Sequence, residues 1–339
     1  MNKDKKLLNL QLFAAGEVVN STGSEGLSAE MKTFYDKTLI TLASPYLVHD
    51  QFGQKRDIPK NGGKNIEFRK FSTLPKALTP LTEGVTPTGN KLNVSTITAT
   101  VEQYGDYIEQ TDLLELTAVD NTIVEATKQL ASQAGITMDT VVRNEIVGGT
   151  NVMYCPKVSA NGTETVVTSR SAIDKTALLR VKDVFKAAAE LKAMNAPKID
   201  GYYVGIIHPY VAYDLMQEAG NQWMEVQKYT TPENMLKGEI GCLGGVRFVE
   251  STEAKIWREG ADGCAVFATL ILGADAYGVT SVNGGGIEHI VKQKGYGNDP
   301  LNQRSSVGWK GLKTAKRLVE EYLIRIESGS AFSGTAIEN

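Results

Sequence analysis

Hydrophobic and polar positions alternate over two short stretches of this chain, and between the two the alternation stops. Residues 65–71 (Asn-Ile-Glu-Phe-Arg-Lys-Phe) begin with period two, and Val94 to Gln103 sets Thr96, Thr98 and Thr100 against Ile97, Ala99 and Val101. Both patterns predict β-strands, and together they predict a hairpin. The stretch between them, Ser72 to Asn93, contains Pro75, Pro80 and Pro87, which forbid a continuous helix, and few large apolar side chains. A two-stranded ribbon is marginal by itself, because it buries too little apolar surface to offset the ordering of its backbone. A structureless loop of this length is unusual inside a compact domain, so the pattern predicts an arm that lies on a neighbouring molecule.

Elsewhere the period is helical. Met31, Phe34, Tyr35, Thr38, Leu39 and Leu42 repeat at helical spacing between Ser28, a suitable N-cap, and Pro45, which stops the helix. With Gly62-Gly63 following as a hinge, residues 1–60 read as an appended arm. After the hairpin, Asp112 and Glu115 form a capping-box pair for a short helical turn. Val119, Ile123, Thr127, Leu130, Ala134, Met138, Val141, Val142 and Ile146 then share one helix face, over a length of roughly 40 Å. Gly135 predicts a bend in this helix and Gly148-Gly149 its end.

Residues 173–277 read as a small α/β unit. A helix opened by Asp174 or Thr176 turns Val181, Val184, Phe185, Ala188 and Leu191 one way and Lys182, Lys186, Glu190 and Lys192 the other. Tyr202 to Ile207 is apolar throughout, as expected of a strand covered on both faces. Pro209 begins a helix that ends near Gly220, and strands are predicted at Val246–Glu250 and Cys264–Leu272. The last part returns to strands at Gly286–Lys294, Ser305–Trp309 and Glu321–Glu327, for which antiparallel pairing is expected. The order implies one discontinuous domain with a second inserted into it.

Composition narrows the function. The chain has 339 residues, 42% of them hydrophobic, enough for more than one core. A net charge of −3 argues against a dedicated nucleic-acid binder. Cys155, Cys242 and Cys264 are few and scattered, which fits a reducing compartment and neither a disulfide framework nor a paired metal site. The start, MNKDKKLLNLQLFAAGE, has the charged head of a secretion signal, but Asn9 and Gln11 interrupt its apolar run. Cleavage after Ala15 with export would instead suit a secreted adhesin or surface-layer protein. No segment approaches a membrane span.

Candidate chemistry is sparse. His49, His208 and His289 sit in no metal-ligand spacing, and His208, before Pro209, reads as a cap or packing residue. The glycine-rich Gly238–Gly245 lacks phosphate-loop spacing and reads as a turn into the next strand, and Gly284–Gly286 as a flexible join. Neither Cys155 nor Cys242 is paired with a histidine in any known motif. The acidic series Glu102, Asp106, Glu109, Asp112 and Glu115 lacks calcium-loop order and reads as a solvated face or as salt bridges to a neighbour. Lys3, Lys5 and Lys6 make a weak basic patch. No cofactor is expected, and an enzyme built on residues 173–277 finds no site that meets the geometric roles required.

Several short motifs, in order, carry a family resemblance. They are Leu8-Asn-Leu-Gln-Leu-Phe-Ala14, Leu81-Thr-Glu-Gly-Val-Thr-Pro87, Tyr104-Gly-Asp-Tyr-Ile108, His208-Pro209 with Tyr213-Asp214, Gly244 to Ser251, and Val307-Gly-Trp-Lys310. Across nearly its whole length the chain resembles tailed-phage major capsid proteins of the Hong Kong 97 fold, in the branch of the podophage N-four type coat protein. The resemblance implies an α+β fold with an N-terminal arm at 1–60, an extended E-loop at 61–112 and a P-domain at 113–172 and 278–339. The P-domain carries the long spine helix and an antiparallel sheet, and an α/β A-domain is inserted at 173–277. It implies a virion protein, assembled in the bacterial host cytoplasm, that forms pentamers and hexamers of an icosahedral shell around double-stranded DNA. Scaffolding, portal and decoration proteins are the implied partners, with non-specific DNA contact and no membrane. Intersubunit contacts are expected at Arg69, Lys76, Leu78, Leu81, Glu83, Val85, Lys91 and Trp223, with Lys76 as a positional candidate for the lysine–asparagine crosslink of the fold's founding member. A separate scaffold or none is expected, since no long scaffolding extension precedes the arm. The alternative within the same fold is a bacterial nanocompartment shell subunit enclosing enzymes.

Overall fold

A computed structural model describes residue 43 and residues 46–339, apart from 58–62, 72–73, 87, 118–121, 160, 226–234, 237, 281–286 and 298. The expected helix at 28–44 and the glycine run at 284–286 lie almost wholly or wholly outside the described residues. Strands β1 (Gln54–Arg56), β2 (Asn65–Phe71), β3 (Val94–Thr100) and β4 (Glu102–Thr111) precede helices α1 (Asp112–Thr117) and α2 (Thr122–Val147). There follow β5 (Val152–Tyr154), β6 (Lys157–Val158), β7 (Glu164–Thr165), α3 (Val181–Ala193), β8 (Tyr203–Ile207) and α4 (Pro209–Ala219). The remainder is β9 (Glu239–Leu243), β10 (Val246–Glu250), β11 (Ile256–Trp257), β12 (Val266–Leu272), β13 (Tyr277–Thr280), β14 (Ile287–Lys292), β15 (Arg304–Lys313), β16 (Ala315–Arg317) and β17 (Leu323–Ser328).

The largest sheet runs β5-β17-β12-β8-β10-β9, with β11 paired to β12. Its central strands β8, β12 and β17 are buried at every residue; β8 and β12 are accordingly apolar on both faces, Thr269 apart, whereas β17 alternates and buries Arg325 and Glu327. One face packs Tyr203, Phe248, Phe267, Ile324 and Ile326 under Val184 and Leu191 of α3 and Val211 and Leu215 of α4. The other packs Val204, Ile206, Ala268, Leu270 and Leu323 against Val142 and Ile146 of α2 and Tyr277 of β13. Because β5 and β17 belong to this sheet, hydrogen bonding runs across both expected boundaries, 172/173 and 277/278. The alternation of a strand fixes which side chains share a face but not which sheet it joins.

Helix α2 has 26 residues, or about 39 Å, and ties two sheets together. Leu130, Ala131, Ala134 and Met138 pack on Ile287, Val307 and Trp309 of the antiparallel sheet β14-β15-β4, while Val142 and Ile146 reach the large sheet. The helix runs unbroken through Gly135. A β-carbon at this glycine would stand 2.6 Å from the Ala43 carbonyl oxygen, so the missing side chain allows residue 43 to approach closely.

Other local differences have simple causes. Helix α3 begins at Val181, where the Arg180 amide donates to Asp183 Oδ2 at 3.3 Å, rather than at Asp174 or Thr176. Phe185 is about half exposed instead of facing the core, with its ring against Gly244. The stretch 238–245 is a strand, β9, followed by a turn in which Gly244 and Gly245 take φ of 64° and 84°, a conformation that favours glycine. Here the strand's own glycine, Gly241, leaves room for the Trp223 ring.

Candidate assembly interface

Strands β2 and β3 pair in register from Asn65↔Thr100 to Phe71↔Val94, as the alternation predicts. The foot of this hairpin is anchored to its own subunit. Ile66, Phe68, Ala99 and Val101 are buried, and Leu312 and Leu318 pack against them. The Val101 amide donates to the Lys64 carbonyl at 2.7 Å and closes the foot, while Gly63, at φ 86°, turns the chain into β2.

Beyond the foot, the described residues lose their cover. Every described residue from 74 to 96 is exposed, and none between 74 and 93 is in a helix or strand. Leu78 is 81% exposed, Leu81 77% and Val85 63%, and Leu74 and Leu92 are also open to solvent. These side chains make an exposed apolar surface on the projection. Arg69, Lys76, Glu83 and Lys91 are exposed on the same projection. Trp223 is not part of it. It is half-buried, stacks on Phe248 with ring centroids 5.8 Å apart and packs against its own core.

The body from which the strap projects is stiffened by buried polar contacts that period-two and period-3.6 patterns do not reveal. His49 and Asp139 are both fully buried, with Nδ1 and Oδ2 2.6 Å apart, and the His49 amide donates to Asp139 Oδ1 at 2.7 Å. The adjacent Asp50 pairs with buried Lys313, whose ammonium also donates to the Thr280 carbonyl at 2.9 Å. Burial raises the Asp50 carboxyl's pKa and lowers the Lys313 ammonium's, and their mutual attraction opposes both shifts. At the end of α2, the Arg325 guanidinium donates to the carbonyls of Val147 and Gly149, and Arg317 donates to that of Glu145. These groups satisfy acceptors that a helix end leaves open. Arg325 and Arg170 converge on buried Glu327, each at 2.8–2.9 Å, and Arg170 lies 3.6 Å over the Trp257 ring.

The residues considered for chemistry serve packing. All three histidines are buried. His208 caps α4, its Nδ1 accepting from the Tyr210 amide at 3.2 Å, and burial lowers its pKa to about 4. Burial, reinforced by Asp183, pushes the Cys155 thiol well above its ordinary range, which keeps it unreactive. The acidic series is exposed at Glu102, Asp106 and Glu109, where Glu102 accepts from the Tyr104 hydroxyl and Asp106 from Gln133. Asp112 accepts from the Leu113 amide at the start of α1.

A family profile described as phage capsid protein matches residues 48–310. The chain belongs to the phage capsid protein family. No curated protein sequence matches it. Among solved structures, it resembles the capsid of Ralstonia phage GP4 at 15% identity and TM-score 0.65, over 84% of this chain and 88% of that one. The capsid of cyanophage P-SCSP1u matches at 15% identity and TM-score 0.59, over 93% and 94%. The cyanophage Pam1 capsid matches at 13% and 0.61, over 86% and 92%. The α+β architecture of the Hong Kong 97 type expected from the motifs is therefore borne out as a phage capsid fold. The match is to phage capsid proteins at large and is broader than the N-four branch. A capsid subunit has a structural role, and in this one the described residues of the strap are exposed throughout.

Proposed function

We propose that this chain is the major coat subunit of an icosahedral phage head, assembling through pentamers and hexamers around double-stranded DNA in the host cytoplasm. One observation carries the reading: the strap at 74–93 is exposed along its length and presents five large apolar side chains to solvent. A strap that lies on the next copy makes a heterologous contact, which repeats head to tail and closes into rings. Several such contacts per subunit retain each copy through multivalency. In this reading residues 1–60 are the arm, 61–112 the E-loop, 113–172 and 278–339 the P-domain and 173–277 the A-domain. Arg69, Lys76, Leu78, Leu81, Glu83, Val85 and Lys91 meet neighbours, and scaffold, portal and decoration proteins complete the head.

The test is negative-stain electron microscopy of the purified chain, with and without co-expressed head proteins. Hollow particles or rings are expected. A folded chain that remains monomeric under every assembly condition refutes the proposal. Deleting residues 74–93 is expected to preserve the circular dichroism spectrum and abolish particles; loss of the fold would place the strap on its own subunit.

A further inference from the structure

Lys313, at the end of β15, carries its amine inside the core. Its side chain is fully buried, and its Nζ meets the almost fully buried carboxyl group of Asp50, from 263 residues earlier in the chain. The amine also donates to the Thr280 carbonyl at 2.9 Å. The surroundings are apolar: Val48 and Phe52 on either side of Asp50, Tyr277 and Val279 on β13 and Ala315 on β16 belong to one buried cluster. An ion pair in such a place gives up its hydration, and mutual attraction repays that loss only in part.

Both groups are held in place by their own backbones. Residue 49, next to Asp50, is fixed at three points: its amide donates to Asp139 Oδ1 at 2.7 Å, its Nδ1 lies 2.6 Å from Asp139 Oδ2, and its carbonyl accepts from the Tyr277 hydroxyl. Lys313 stands opposite Glu102 in the β15–β4 ladder, and Thr314 after it exchanges two hydrogen bonds with Thr280. Groups fixed in contact react as though at an effective concentration of about 10⁵–10⁸ M. Burial, the largest influence on each, favours the neutral acid at Asp50 and the neutral amine at Lys313, and the attraction within the pair opposes both. Of the other charges nearby, Lys55 acts to lower both pKa values and Asp139 to raise both. A proton passed from Lys313 to Asp50 leaves a neutral amine, which is a nucleophile, against a neutral carboxylic acid.

We propose that Lys313 and Asp50 join in an intramolecular isopeptide bond once the chain has folded. The Nζ lone pair attacks Asp50 Cγ and forms the N–C bond; the C–O bond to one carboxyl oxygen breaks, and that oxygen leaves as water with two of the amine's three original protons. An ammonium and a carboxylate thus become one amide and one water, with no change of oxidation state and no co-reactant. Two buried charges are replaced by a neutral group, which the apolar surroundings favour. The bond lies within one copy and uses no residue of the strap. It ties the segment before β1 to β15 beside the hairpin foot, where β15 pairs with β4, and closes a loop over most of the chain, which restricts the unfolded state.

Mass spectrometry of the full chain, folded and then denatured, tests this. The chain is expected to be lighter by one water than its sequence requires, and a protease digest is expected to yield one branched peptide joining the stretches around Asp50 and Lys313. Lys313→Met, similar in shape but without the amine, is expected to keep the full mass and to run more slowly in denaturing gels than the looped parent. Should that variant fail to fold, the parent's own mass and digest decide the question. A folded parent of full mass, with Asp50 and Lys313 recovered in separate linear peptides, overturns the proposal and leaves an ordinary buried ion pair. A water loss that maps to a cyclic imide at Asp50, or that persists in Lys313→Met, overturns it as well.

Discussion

The ring of Phe68 in β2 closes onto Gly278 in β13 so tightly that a β-carbon at position 278 would overlap it. This contact seats the hairpin foot against the sheet β1-β13-β16, and it exists because residue 278 has no side chain. Phe68 is 1% exposed.

Replacing Gly278 with valine is therefore expected to unseat the foot. Overpacking of this kind costs about 1–3 kcal/mol, whereas Phe68→Ala, which leaves a void, costs about 3–5 kcal/mol. Urea unfolding monitored by circular dichroism measures both. If Gly278→Val melts like the parent, the foot is not held by this contact.

The pair formed by His49 and Asp139 fastens the segment before β1 to α2. Removing the imidazole leaves buried Asp139 with only the residue-49 amide as partner, so His49→Ala is expected to lower stability by about 3 kcal/mol. Amide exchange supplies the local readout. Protection should fall first in 46–56 and in the neighbouring β13; unchanged protection there would show that the pair is incidental.

The neutral cap His208 gives a pH dependence of known sign. Its pKa is depressed by burial to about 4, below the 6.5 of a free imidazole, so the unfolded chain binds protons more readily than the folded one. Its contribution is complete above pH 6.5 and is lost as pH falls toward 4, amounting to about 3 kcal/mol if the full shift is realised. His208→Asn keeps an N-cap but removes the titration. Stability measured across that window is expected to fall less steeply with acid in the variant; an equally steep fall would assign the dependence elsewhere.

Periodicity made the elements legible but not their assembly. Alternation located β2 and β3, and the spacing of Leu130, Ala134, Met138, Val142 and Ile146 located the buried face of α2. The strap was legible as well, because three prolines and a lack of core-forming residues describe a segment whose described residues are exposed. Hidden from such patterns were Asp139, Arg143, Arg325 and Glu327, polar residues on buried faces whose partners lie far away in sequence. The true role of Gly135 was hidden for the same reason, since close approach of Ala43 is a tertiary fact. Placing β17 beside β5 and β12 required knowing which edges meet, and no local rule specifies that.

The strap separates folding from assembly, and single substitutions can show it. Leu78 and Leu81 are 81% and 77% exposed, so Leu78→Asp and Leu81→Asp are expected to change unfolding free energy by no more than about 0.5 kcal/mol. On a neighbour, each aspartate places a charge where an apolar side chain would be buried, and the penalty repeats at every copy of the contact. Assembled particles should become scarce while the melting curve stays in place. A matched loss of both would mean that the strap belongs to the fold, and normal particles from the double variant would move the intersubunit contact away from these leucines.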